Sequence, residues 1–453
     1  MIRFKARRLS GLALLLPGLL VGCAHYTARP IDPALSARAL KARRLNDPRL
    51  LRFLSAMGRG AQPDWNIGTL TLVALYERPD IRIADAGYAL AKGGLTTAAA
   101  IPNPILGLSP TYNTAAGLPS PVKVGPIVTF LISSFGARPA SIKAARAEIA
   151  ASRALIGSAA WRERAGVRNA LLAVWQARAQ ARLARQSARL AEASLAVLSQ
   201  RYSAGMVSAS ALILQRLTAE QARFAATEAI RRERLARAGL AAALGLPEAA
   251  LRGVTLDLSE FSHIGKPQAL AVLERRALIR RPAIRAALAR YAAAQDRLRA
   301  AIDGQYPAFN IGPGYHYDQG SNKFILALSL PLPVFNQNQG PIAEARARRH
   351  LAAARFDQVQ QRVLGGIDSA RTDWRASRDA TIAADRTSAS ARRSESSARG
   401  QFRAGATGRL RLLGAEQAAI LARQNALTAR IQARVALGRL EDALHHRFFR
   451  SGT

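Results

Sequence analysis

The side chains that could do chemistry are few and scattered. His445-His446 could ligate a metal, but adjacent residues on a helix point about 100° apart and no third ligand accompanies them. A solvated pair is expected. Gly312-Pro-Gly314 lacks the Gly-Lys-Ser/Thr and the helix that must follow a phosphate-binding loop. Serine, histidine and aspartate occur without a nucleophile elbow. Trp161, Trp175 and Trp374 lie on long helical stretches, as packing or interfacial anchors rather than a cofactor box. Cys23 is the one cysteine, so neither an internal disulfide nor a zinc ribbon can be built. The residues predict no catalytic role, no metal site and no cofactor.

Cys23 carries chemistry of another kind. Arg3, Lys5, Arg7 and Arg8 precede an apolar run, Leu12 to Val21, that is too short to span a bilayer, which is a secretory signal layout. Leu20-Val21-Gly22-Cys23 resembles the bacterial lipobox, whose cysteine is lipidated and becomes the mature N-terminus. Ala24 stands where an aspartate would favour the inner membrane. Residues 1–22 are therefore expected to be a lipoprotein signal peptide, and 23–65 an N-terminal segment anchored by lipid on Cys23.

The chain has 453 residues, is 49% hydrophobic and carries a formal charge of +37, enough apolar material for a core and a large basic excess. That charge is spread over helical stretches without an aromatic-basic motif or zinc module, so no nucleic-acid partner is expected. Lipopolysaccharide, an acidic periplasm or Arg-rich coding bias would each account for it.

The sequence is duplicated at an offset of about 200 residues. Arg78-Pro79-Asp80-Ile81-Arg82 recurs as Arg281-Pro282-Ala283-Ile284-Arg285, and Phe135 to Ile142 as Phe335 to Ile342. Arg201-Tyr202-Ser-Ala-Gly205 recurs as Gln401-Phe402-Arg-Ala-Gly405. The first helix-strand-strand-helix repeat spans 66–245 and the second 267–446, with a linker at 246–266 and a tail at 447–453.

Within the first repeat, periodicity predicts helices over 66–100, 137–203 and 207–245. The second has them over 267–304, 337–403 and 408–446. A 67-residue helix is about 100 Å long and needs a partner along its whole length. Leu183, Leu190 and Val197, and Leu413, Ile420 and Leu427, recur every seven residues as in coiled coils. Gly205 and Gly405 fall where the long helices would turn back, suited to a left-handed backbone.

Between the helices lie strand pairs, Asn103–Tyr112 with Pro121–Ile132, and Phe309–Tyr317 with Lys323–Val334, the latter joined by a polar turn Asp318–Asn322. Phe324, Leu326, Leu328 and Leu330 share one face, fit for lipid. A soluble hairpin packed on helices is the alternative. Four strands cannot close a barrel, and open edges in hydrocarbon leave backbone groups unpaired, so a membrane reading requires several copies.

This combination resembles the TolC-type outer-membrane efflux family over residues 65–445. Tyr306-Pro307 through Gly312-Pro-Gly-Tyr315, and Leu330-Pro-Leu-Pro-Val-Phe-Asn-Gln-Asn-Gln-Gly-Pro-Ile-Ala-Glu-Ala-Arg346, are most similar to its cation and heavy-metal branch. The resemblance implies a mixed α/β membrane protein. It forms a homotrimer whose 12-stranded outer-membrane β-barrel, four strands per chain, continues as a periplasmic α-helical coiled-coil barrel. Such a protein conducts passively, as the exit duct for metal ions or small toxic compounds, with a periplasmic adaptor and an inner-membrane proton-driven transporter as partners. The turns at 203–208 and 403–409, with Gly205, Met206, Gly405 and Ala406, would be the periplasmic mouth and adaptor contact.

Family members carry aspartates after the second turn, where this chain has Arg411 and Gly414, with Arg403 and Arg409 nearby. Facing the lumen, these arginines would form a cationic constriction; facing outward, they would meet an adaptor or solvent. A lipid-anchored periplasmic scaffold or adaptor, and a type I protein-secretion duct, remain alternative functions.

Overall fold

The computed structural model describes residues 24–60, 63–114, 117, 120–132, 136–262 and 269–449. The signal segment and Cys23 lie outside the described residues. The chain divides into two units, Met1–Arg43 and Arg44–Thr453. The first contains α1 (Pro33–Ala42), opened by Asp32, whose carboxylate accepts from the N–H of Ala34 at 2.7 Å and of Leu35 at 3.2 Å. The second begins with α2 (Pro48–Ala56), which buries Leu50 and Leu54. The segment 23–65 is therefore partly helical.

The duplication is explicit in the fold. The first half holds α3 (Ile67–Glu77), α4 (Pro79–Ala99), α5 (Ala137–Ser203) and α6 (Ala209–Leu244). The second holds α7 (Leu270–Arg280), α8 (Pro282–Asp303), α9 (Gln339–Arg403) and α10 (Arg409–Leu444). The helices expected over 66–100 and 267–304 are each two. Arg78 and Arg281 are extended, with ψ 145° and 130°, because a following proline disfavours helical backbone. Pro79 and Pro282 then open the next helix, where a missing N–H costs nothing. The repeated Arg-Pro is thus a repeated corner.

α5 lies along α4, α6, α8 and α10, and α9 along α8 and α10. The buried positions of α5 include Ala140, Ala144, Ala151, Ala159, Ala181 and Ala188, small side chains that let neighbouring helices approach closely. Leu183, Leu190 and Val197 are consequently only half-buried, whereas Leu413 and Ile420 of α10 are buried. The stretch expected to be a linker, 246–266, is core material over its described part. Leu246, Leu251, Leu256 and Phe261 are buried with Leu171, Leu240, Trp374 and Leu437, and Leu256 bridges Trp65 in parallel.

Candidate functional site

Two strand pairs emerge from the ends of the helices and join in one antiparallel sheet. Its strands are β1 (Ile105–Leu108), β2 (Thr111–Tyr112), β3 (Val122–Val124), β4 (Pro126–Ile132), β5 (Phe309–Asp318) and β6 (Ser321–Ser329). The first expected pair is interrupted, at Ser109-Pro110 and at Gly125, but its register runs through. Ile105 faces Thr129 and Thr111 faces Lys123, while Phe130 faces Ile311 and Val124 faces Tyr317. β1 with β2 is therefore one stave and β3 with β4 a second, followed by β5 and β6.

Gly125 marks a close approach: a Cβ there would stand 1.8 Å from the Tyr315 carbonyl oxygen. β6 ends at Ser329, short of the expected Val334, because Pro331 cannot donate to a ladder. Leu330 accordingly lies beyond the strand. The turn is tighter than the expected five residues: Gln319 (φ 50°) and Gly320 (φ 98°) form a two-residue type I′ connection.

Directly opposed residues share a face, so the register sorts the side chains. One face carries Leu106, Leu108, Val128, Ile311, Leu326 and Leu328 across its middle. Tyr112, Tyr315, Tyr317 and Phe324 lie toward the hairpin turn, and Phe130 and Phe309 toward the helices. Phe324, Leu326 and Leu328 are 88%, 68% and 70% exposed. Aliphatic band and flanking aromatics form the pattern of a lipid-facing surface. The other face is mixed, carrying Lys123, Thr129, Asn310, His316, Asp318 and Lys323 with Ile105, Ile127, Leu131 and Ile325 and the glycines Gly107, Gly312 and Gly314. Lys323 Nζ bonds the Asp318 carboxylate at 2.7 Å. Among the described residues β1 pairs only with β4 and β6 only with β5, leaving an open edge at each side of the sheet.

At the opposite ends of the long helices are two identical turns. Gly205 (φ 67°) and Gly405 (φ 72°) are left-handed. The N–H of Met206 donates to the Arg201 carbonyl at 2.8 Å and that of Gly205 to Tyr202 at 2.9 Å. Ala406 and Gly405 repeat this on Gln401 and Phe402 at 2.9 and 3.1 Å. These paired bonds close the orphan carbonyls of each helix end. Arg403, Arg409 and Arg411 are exposed beside the second turn, with the Arg409 guanidinium 5.6 Å from the Phe402 ring. Farther up, Arg399 and Arg423 pair with Glu395 and Glu416 between α9 and α10, and Gln417 bonds Ser187 of α5 at 3.0 Å.

Midway along the helices lies a charge cluster absent from the sequence reading. Glu441 is 0% exposed. Its Oε1 accepts from Arg164 and from Arg168 at 2.9 Å, and its Oε2 accepts the N–H groups of Phe448 at 2.6 Å and Phe449 at 3.0 Å. Asp442 takes Arg168 Nη2 at 2.6 Å and the Trp161 indole at 3.1 Å. Burial opposes the Arg168 charge, but Asp442 and Glu441 outweigh it and hold its pKa above the ordinary arginine value. The available signal was Arg164 and Arg168 one turn apart on the apolar face that includes Val167 and Leu171. His445, expected to be solvated, is half-buried and stacked on Trp161 at 4.0 Å. Burial, then Arg281, lowers its pKa to about 4.

Among the described residues no helix is long and apolar enough to cross a membrane, and no group of three or more metal-ligating side chains is assembled. No curated protein matches the sequence. Several solved structures share the fold. The outer membrane protein VceC from Vibrio cholerae is 19% identical, with TM-score 0.68 over 84% of this chain and 96% of that one. A Pseudomonas aeruginosa membrane protein is 24% identical, with TM-score 0.67 over 83% and 93%. CusC, whose structures concern folding and transmembrane channel formation, is 21% identical, with TM-score 0.67 over 85% and 93%. Residues 71–246 and 273–445 match the family described as outer membrane efflux protein, once per repeat. The chain belongs to the outer membrane efflux protein family of TolC-type channels, which are passive ducts and not enzymes.

Proposed function

We propose that three copies of this chain close their sheets into one twelve-stranded outer-membrane barrel, continued into the periplasm by the long helices as the exit duct of a tripartite efflux pump. The observation that carries this reading is the sheet itself, apolar across all four staves on one face and, among the described residues, unpaired at both edges. In hydrocarbon each unpaired backbone group costs several kcal/mol, and closure with sister sheets removes that cost. β5, with ten residues, matches the length a tilted strand needs to cross. The lipid on Cys23 supplies a second attachment to the membrane.

The paired turns at Gly205-Met206 and Gly405-Ala406 form the periplasmic mouth and the adaptor contact, and an inner-membrane proton-driven transporter supplies the energy. The cargo is metal ions or small toxic compounds. Arg403, Arg409 and Arg411, taken three times around the mouth, form a cationic constriction that favours anionic species, so that a metal passes as an anionic complex rather than as a free cation. Purified protein in a planar bilayer should give discrete conductance steps. Absence of conductance, with full release from membranes on removing the lipid anchor, would favour a periplasmic scaffold instead.

A further inference from the structure

Where the start of α3, the face of α7 and the end of α10 meet α5, they enclose a cavity of about 630 Å3, within the size range of small-molecule sites. Its wall includes Arg59, Arg276, Arg280, Arg281 and Arg447, with Arg164 already paired to Glu441, and among the described residues no carboxylate lines it. Leu273, Arg276, Ala277 and Arg280 share one helical face, so α7 presents its two arginines together.

The nearby acids are already engaged: Glu441 by Arg164 and Arg168, Asp442 by Arg168, and Glu163 by Arg78. Arg59, Arg276, Arg280 and Arg447 have no ion pair among the described residues, and Arg281 donates to the Ala443 carbonyl at 2.6 Å. Glu260, close to the first turn of α3, has its carboxyl pushed up to about 7 by burial and then by Asp257, so it is only partly charged at neutral pH.

A second observation comes from Gly68. A Cβ there would stand 2.6 Å from Arg59 Nη2, so the guanidinium lies against the first turn of α3, the positive end of that helix. A cation held at that pole without a carboxylate partner is relieved by an anion bound alongside, on the cavity side of the guanidinium. Trp161 and neutral His445 add an apolar part to the wall.

We propose that this cavity binds a soluble small molecule bearing two or more phosphate groups. Guanidinium forks bind phosphate oxygens in pairs, and several forks with no counter-ion call for a multivalent ligand. A soluble molecule is required because Trp161 stands ~36 Å along α5 from its sheet end, by helix rise. On the membrane reading of the sheet, no lipid headgroup reaches that far.

The test is calorimetric titration of the full-length, detergent-purified protein with inorganic tripolyphosphate. Saturable binding is expected, weakened at least tenfold by the double substitution Arg276→Glu, Arg280→Glu and unchanged by Arg216→Ala, an exposed arginine of α6 away from the cavity. Arg447→Glu, beyond the end of α10, is a second variant should the α7 pair impair folding, and it too should weaken binding. No saturable heat, or affinity indifferent to these substitutions, overturns the proposal. Binding confined to micelles of a diphosphorylated glycolipid, with none to tripolyphosphate, also overturns it. Conductance of the same preparation reports on the duct reading independently.

Discussion

Replacing Glu441 with Gln keeps the shape of the side chain while removing its charge and turning one acceptor into a donor. In the native chain both oxygens are used twice, by Arg164 and Arg168 on one and by the Phe448 and Phe449 amides on the other. Whichever way the new amide points, its NH2 meets two donors. Arg164 and Arg168 are 6% and 1% exposed, so water cannot take over. Breaking a buried ion pair on one side costs about 3–5 kcal/mol, a large part of an ordinary domain's stability. Asp442→Asn is the internal control. Asp442 is 32% exposed and Arg168 retains Glu441, so its cost should be smaller, about 1–2 kcal/mol. Thermal unfolding in detergent, with proteolysis of the C-terminal tail read by mass, measures both. An E441Q protein within ~1 kcal/mol of the parent, or one less affected than D442N, would refute the assignment of Glu441 as the central anchor.

Other outcomes follow from the same geometry. Gly405→Ala should destabilise by about 1 kcal/mol, because φ 72° is unfavourable for any side chain even with no neighbour in the way; unfolding of the purified variant measures it. Gly125→Val should prevent assembly, since its Cβ would overlap the Tyr315 carbonyl; a heat-modifiable gel band at parental abundance would contradict this. The Glu260 carboxyl, raised to about 7, binds its proton more tightly folded than unfolded, so its penalty is full above pH 7 and fades as pH falls toward 4.5. Glu260→Gln should therefore gain ~1–2 kcal/mol at pH 8, after allowing for partial exposure, and nothing near pH 4.5; equal gains at both pH values would count against it. Arg411→Asp should shift reversal potentials toward cation preference, and unchanged selectivity would place that side chain outside the lumen.

The duplication was legible because it repeats particular residues with particular backbone tasks: Arg-Pro at the helix corners, and glycine at the turns. The 67-residue α5 follows from uninterrupted helical spacing bounded by Gly136 and Gly205. The apolar row of the sheet was legible only in β6, where Phe324, Leu326 and Leu328 fall on alternate positions. In the first half Pro110 and Gly125 break the strands, and only the register restores the shared face. The core role of residues 246–261 was hidden because a short, irregular run has no periodicity to read. The Glu441 cluster was hidden because its members lie on helices separated by much of the chain, and no local spacing joins Arg168 to Glu441.

The central claim is that a sheet of four staves, open at both edges, is completed by two sister copies. Native mass measurement on the intact, detergent-extracted protein tests it most directly. Three chains per particle are predicted, and a stable particle containing one chain would contradict the account.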